Sequence, residues 1–112
     1  MNQVVYSPKA LADLDEIFAY ISDKLANPIA AESIVNGILD TADMLKDHSE
    51  IGKPLYFSDD IFSGYRYLVY KNYLVFYRSS KDTAYIDRVL YGKRDYISLF
   101  IKDLTDDNEH YF

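Results

Sequence analysis

The stretch that decides the fold is Tyr65-Arg66-Tyr67-Leu68-Val69-Tyr70, Lys71-Asn72, Tyr73-Leu74-Val75-Phe76-Tyr77-Arg78-Ser79, Ser80-Lys81-Asp82, Thr83-Ala84-Tyr85-Ile86-Asp87-Arg88-Val89-Leu90-Tyr91. Its three aromatic and β-branched runs predict strands over residues 65–70, 73–79 and 83–91. Lys71-Asn72 predicts a turn, with Asn72 suited to the left-handed region, and Ser80-Lys81-Asp82 predicts another. Connections this short cannot cross over to a parallel neighbour. The strands must form an antiparallel meander, which Gly92 ends.

Upstream of the meander the period changes. Gln3 to Tyr6 is a short β-branched and aromatic run that predicts a strand. Ser7-Pro8 is a helix start: serine caps, and proline at the first helical position gives up a donor that has no partner there anyway. Leu11, Leu14, Phe18, Ile21 and Leu25 follow at steps of three and four, one face of a helix expected to lie in the core. Asp13, Asp15 and Glu16 sit near its N-terminus, where the macrodipole favours acids. Asn27-Pro28 repeats the start signal, and Ala31, Ile34, Val35, Ile38, Ala42 and Leu45 mark a second helix. The short gap between them predicts a helical hairpin. Ile51-Gly52-Lys53-Pro54 breaks the helical pattern; a weak strand is expected over residues 55–58, and Asp59, Asp60, Ser63 and Gly64 read as loop. Residues 95–104 predict a short C-terminal helix and residues 105–112 an acidic tail. The class is α+β: an N-terminal strand, a helical hairpin, then an antiparallel meander packed against the helices. Residues 1–104 are expected to form a single domain.

The chain has 112 residues, 49% apolar and 27% charged, values of an ordinary globular domain. It contains no cysteine, which excludes disulfides and thiol catalysis. His48 and His110 are too few and too far apart to suggest a metal site, and no cofactor motif stands out. No apolar run approaches the length of about 20 residues that a membrane helix needs, and the first residues carry no signal stretch. A cytoplasmic protein without a membrane partner is expected. The net charge of −6 is unevenly laid out. Residues 1–50 hold three lysines against nine acids, whereas residues 51–102 carry every arginine and a net +4. A protein gripping nucleic acid over its whole surface should be basic throughout, so at most a local basic site is expected.

The arginines are the candidates for that site. Arg66 shares a predicted strand face with Leu68 and Tyr70. Arg78 alternates with Leu74 and Phe76, and Arg88 with Ile86 and Leu90. Each extends an apolar row, an unusual place for a guanidinium. Either they cap strand ends and pair with acids such as Asp87 or Asp95, or they form a cluster of fixed cations suited to phosphate. Lys93 and Arg94 follow Gly92, where a strand end presents side chains. Tyr91 is the nearest of the tyrosines, which serve as strand residues or interface anchors more readily than as catalytic phenols. No histidine stands near the arginines to act as a base.

The ordered set of motifs resembles the RelE/ParE toxins of bacterial type II toxin–antitoxin systems. The resemblance is carried by Tyr6-Ser7-Pro8-Lys9-Ala10, Asp13-Leu14, Ile17-Phe18-Ala19-Tyr20-Ile21, Arg66-Tyr67-Leu68-Val69, Tyr73-Leu74-Val75-Phe76-Tyr77-Arg78, Arg88-Val89-Leu90-Tyr91-Gly92-Lys93-Arg94-Asp95 and Leu99-Phe100. It implies a cognate antitoxin that wraps the toxin with a segment folding on binding. It also implies one of two targets, the ribosome or DNA gyrase. RelE-like members cut mRNA on the ribosome, and Arg66 and Arg94 match their catalytic arginines. Phe100 stands where those enzymes carry a tyrosine and has no phenol. Only Lys53 represents their lysines, and Asp59 and Asp60 at the end of the stretch that follows it repel phosphate. His110-Tyr111 lies too far beyond the last strand to replace the missing groups. The resemblance is closer to ParE, whose members poison gyrase without chemistry of their own. Arg66, Arg78, Arg88, Lys93, Arg94 and Tyr91 are then candidates for target contacts. An inactive relative that only binds antitoxin is the third alternative, and free-DNA binding is not expected without the antitoxin.

Overall fold

The computed structural model describes residues 2–92 and 100–102. In chain order these form β1 (Gln3–Tyr6), α1 (Pro8–Ala19) with a π-helical turn (Tyr20–Lys24), α2 (Pro28–Asp43) with a 3₁₀ turn (Met44–Lys46), β2 (Lys53–Ser58), β3 (Ile61–Tyr70), β4 (Tyr73–Ser80) and β5 (Thr83–Tyr91). Residues 100–102 are helical. The expected tail and most of the expected C-terminal helix lie outside the described residues.

Both helices start as their sequences dictate. The Ser7 hydroxyl accepts the Ala10 N–H at 3.0 Å and donates to the Asp87 carbonyl at 2.8 Å, so it caps α1 and pins it to β5. Asn27 caps α2 by accepting the Ala30 N–H at 3.0 Å. Proline follows each cap. α1 ends in a wide turn: the Leu25 N–H reaches the Tyr20 carbonyl five residues back. Ala26 then takes φ +50, which reverses the chain into α2.

The five strands form one sheet in the order β1-β5-β4-β3-β2. β2 through β5 pair antiparallel as the turn lengths require. β1 pairs parallel with β5, which the helical hairpin makes possible as a long connection. Two expectations change in detail. β3 begins at Ile61, so Ser63 and Gly64 lie within a strand, where Gly64 supplies φ +87. At the β3–β4 turn the positive φ belongs to Lys71 (+52), not Asn72, and Lys81 (+55) does the same at the next turn. Positive φ at the first central residue alone is the sign pattern of a type II′ turn, whose twist suits a hairpin.

Both helices cover one face of the sheet, α1 over β5 and α2 over β3 and β4. Ala10, Leu14, Ile38, Ala42 and Leu45 meet Leu68, Val75, Tyr77, Ala84, Ile86 and Val89 there. The opposite face carries a smaller cluster of Leu55, Phe76 and Phe100. Phe100 stacks on Phe76 with centroids 4.3 Å apart. β4 is therefore buried on both faces, which explains its unbroken run Tyr73-Leu74-Val75-Phe76-Tyr77.

The stripe expected to bury α1 is only half correct. Leu14 and Ile21 are buried, but Leu11, Phe18 and Leu25 remain 51%, 40% and 56% exposed. The buried face is rotated toward Ala10, Asp13 and Ile17. An acid occupies a core position there, and it is the key to the site.

Candidate functional site: a tyrosine-rimmed groove beside a buried ion pair

Asp13 is 6% exposed and fully engaged. It accepts from Arg88 Nε at 2.8 Å, from Arg88 Nη2 at 3.0 Å and from the Val89 N–H at 2.9 Å. Two parallel bonds from one guanidinium fix both angle and distance. Strict alternation puts Arg88 on one row with Ile86 and Leu90, and a β-bulge breaks that row. Phe76 pairs with Arg88 and Tyr77 with Ile86, so Asp87 is skipped. Ile86 and Val89 consequently pack toward the helices, while Leu90 joins the opposite face. The bulge lets Arg88 and the Val89 amide serve one carboxylate on α1.

This clamp forms one wall of a groove of about 820 Å³. The groove lies between the π-helical end of α1 and the sheet end formed by the β3–β4 turn and the last residues of β5. Ile17, Ile21 and Ile34 give it apolar surface, and Glu16 and Lys71 supply charge. Three tyrosines, Tyr20, Tyr73 and Tyr91, line it. Tyr73 meets Tyr91 edge-on at 5.4 Å. Burial, then the neighbouring Tyr91 and Tyr20, push the Tyr73 phenol above its usual pKa. Single-turn π-helices concentrate at functional sites, and this one shapes the rim.

The other arginines do not join Arg88. Arg66 shares the helix-side face with Tyr77, its partner across β3 and β4. Its Nη1 donates to the Gly52 carbonyl at 3.2 Å and the Glu50 carbonyl at 3.4 Å, and its guanidinium lies 5.3 Å from the Phe62 ring centre. Tyr77 anchors the same loop: its hydroxyl accepts the Gly52 N–H at 2.9 Å and donates to the Ser49 carbonyl at 3.0 Å. Gly52 is required by this approach, since a Cβ there would lie 2.6 Å from the Tyr77 ring. Arg78 is exposed and stacks over Tyr85 at 4.5 Å. It and Asp87 flank Tyr65, whose phenol is pushed up to about 12 by burial first and by its hydrogen bond to Asp87 second. Arg66, Arg78 and Arg88 thus occupy three separate environments. Lys93 and Arg94 lie outside the described residues. Of the expected site residues, Arg88 and Tyr91 meet at the groove.

Asp13, Tyr20, Lys71 and Tyr73 are groove residues that no motif in the sequence marks as part of a site. Asp13 carried a usable signal: it lies three residues after Ala10 and four before Ile17, on a stripe where an acid needs a partner. Among the described residues no group of three or more histidine or carboxylate side chains is arranged to hold a metal. No helix among them is long and apolar enough to cross a membrane.

A helical hairpin clamped by an ion pair onto one face of a five-stranded sheet, with a groove at the hairpin's end, defines a small α+β protein of the ParE-like fold. The chain matches the family model described as ParE toxin of type II toxin–antitoxin system, parDE, over residues 4–96. It belongs to the ParE toxin family. A solved structure, the chromosomal ParDE toxin–antitoxin system from P. aeruginosa, contains a chain similar to it. The two superpose with a TM-score of 0.68 at 23% identity, covering 83% of this chain and 98% of that one. No curated protein matches the chain.

Proposed function

We propose that this chain is the toxin of a type II toxin–antitoxin module, that it arrests growth by binding DNA gyrase, and that a cognate antitoxin neutralises it through the groove. The family match over residues 4–96 carries the reading. The groove suits a folded peptide segment: apolar surface for a hydrophobic stripe, tyrosines that contribute area and hydrogen bonds at low entropic cost, and Glu16 and Lys71 to set direction. In this reading the protein works in the cytoplasm, needs no cofactor, and does not bind free DNA without its antitoxin.

Two features favour binding over chemistry. Arg66 and Arg78 are engaged at separate places rather than converging on one phosphate. Phe100, standing where RelE-like enzymes place a tyrosine, is buried against Phe76 and serves packing. Arg78 and Tyr91, both exposed, remain candidates for target contacts, together with Lys93 and Arg94. The test is a supercoiling assay with purified gyrase, run beside a cleavage assay on ribosome-bound mRNA. Inhibition of supercoiling without mRNA cleavage is expected. Cleavage that Arg66→Ala or Arg94→Ala abolishes would replace this reading with the endonuclease. Inactivity in both assays, with antitoxin binding intact, would leave an inactive relative.

A further inference from the structure

β2 and the start of β3 carry aromatic side chains that the fold leaves uncovered. Arg66 lies over the Phe62 ring, and Phe62 meets Tyr56 across the two strands at 5.7 Å, so the three share the helix-side face. The helices lie over β3, β4 and β5, and Tyr56 and Phe62 remain 49% and 44% exposed. Charge is laid out in order along the same hairpin. Its base carries Lys53, exposed, and Arg66, half-buried, with the exposed Glu50 offsetting one of them. The aromatic rings fill the middle. Its tip carries Asp59 and Asp60, both exposed, with no lysine or arginine between residues 54 and 65 to offset them.

We infer that this hairpin face docks a second copy of the chain, the two hairpins lying antiparallel across a two-fold axis. Such an isologous contact needs a surface that complements itself. The antiparallel arrangement sets the acidic tip of each copy over the cationic base of the other, with Tyr56 and Phe62 against their own counterparts in the middle. Lys53 and Asp59 stand at the two ends of β2, about 15–20 Å apart at the rise of an extended strand, so both ends are met at once. The rings supply the affinity, and the exposed charges, weak as pairs, fix the direction. Pro54 and two register shifts interrupt the outer edge of β2, which denies the pair a continued ladder and leaves a contact of side chain on side chain. The acids at the tip repel a phosphate backbone. The hairpin tip lies at the opposite end of β3 from Lys71 and the groove, so a dimer leaves the groove open.

Sedimentation equilibrium of the full chain, purified free of antitoxin, measures its mass from about 1 to 500 µM. The mass should climb from 13.0 kDa towards twice that value across the range. Tyr56→Ser combined with Phe62→Ser should raise the dissociation constant at least roughly tenfold. Reversing the tip with Asp59→Lys and Asp60→Lys should weaken association by a similar factor, and so should Lys53→Asp at the base. All three charge changes in one chain should restore it to within about threefold of the native value, because tip and base are again opposite in sign. Leu11→Ser with Phe18→Ser, on the exposed side of α1, should change nothing. Circular dichroism confirms that each variant is folded, as expected for exposed positions. A chain that stays at 13.0 kDa throughout would overturn the inference. So would association that survives the Tyr56/Phe62 change, that the reciprocal charge change fails to restore, or that falls equally in the Leu11/Phe18 variant. A monomer whose binding to gyrase or antitoxin falls in the Tyr56/Phe62 variant would give the patch to that partner and overturn it as well.

Discussion

α1 and α2 begin alike, with a capping side chain followed by proline, yet they are held by different physics. α2 is seated by apolar packing: Ala31, Ile38 and Ala42 are fully buried, and Gly37 lies against the Tyr70 ring. α1 buries a narrower stripe and is fastened by the Asp13 clamp to Arg88 and Val89. The difference teaches that a carboxylate on a helix's buried face can do part of the anchoring that α2 leaves to apolar side chains. α2 turns Ala31, Ile38 and Ala42 of its stripe into the core, whereas α1 leaves Leu11 and Phe18 of its stripe half-exposed.

The comparison breaks first at Asp13. Asp13→Ala leaves Arg88 without its buried partner and should cost about 3–5 kcal/mol in urea denaturation. A loss below about 1 kcal/mol would mean that packing alone holds α1. Ile38→Ala tests the apolar half on α2 and should cost about 2–5 kcal/mol, with the residual cavity setting the value. Ala26→Gly probes the joint between the two helices. A left-handed alanine costs roughly 1–2 kcal/mol that glycine does not incur, so this variant should gain up to about 1 kcal/mol after glycine's extra unfolded-state entropy. Leu11→Ser should cost about 1 kcal/mol or less, because half its surface is already in water.

The alkaline limb sharpens the same picture. Burial pushes the phenols of Tyr6 and Tyr65 to about 12, from 10 in the unfolded chain. Between those values the unfolded chain sheds protons that the folded one keeps, so stability is level below pH 10 and falls as pH rises toward 12. Titration at 295 nm should show a late-ionising set of tyrosines that merges with the rest on denaturation. Tyr65→Phe should shrink that set. A single transition near pH 10 in the folded protein would contradict the burial of these phenols.

Much of this was legible in the sequence because it is local. Caps, prolines, the period-two runs and the two-residue turns fix the helices and the meander by themselves. What was not legible depends on contacts between distant segments. The parallel pairing of β1 with β5 joins residues about 80 positions apart in the chain, as the Val4 to Ala84 register shows. The rotation of the α1 core face came from Asp13 finding Arg88, and the bulge that delivers Arg88 has no marker in the run Ile86-Asp87-Arg88-Val89. Arg66, Arg78 and Arg88 stand apart for the same reason: strict alternation places them on rows, but pairing decides which faces those rows share. The groove residues Tyr20, Lys71 and Tyr73 come from three elements, and only the tertiary fold brings them together.

The most direct measurement is pulse-labelling of cells that express the chain without its antitoxin, following thymidine and methionine incorporation over the first minutes. Early loss of thymidine incorporation while protein synthesis continues is the predicted result. Early loss of methionine incorporation, with DNA synthesis continuing, would contradict the account and return Arg66 and Arg94 to a catalytic role.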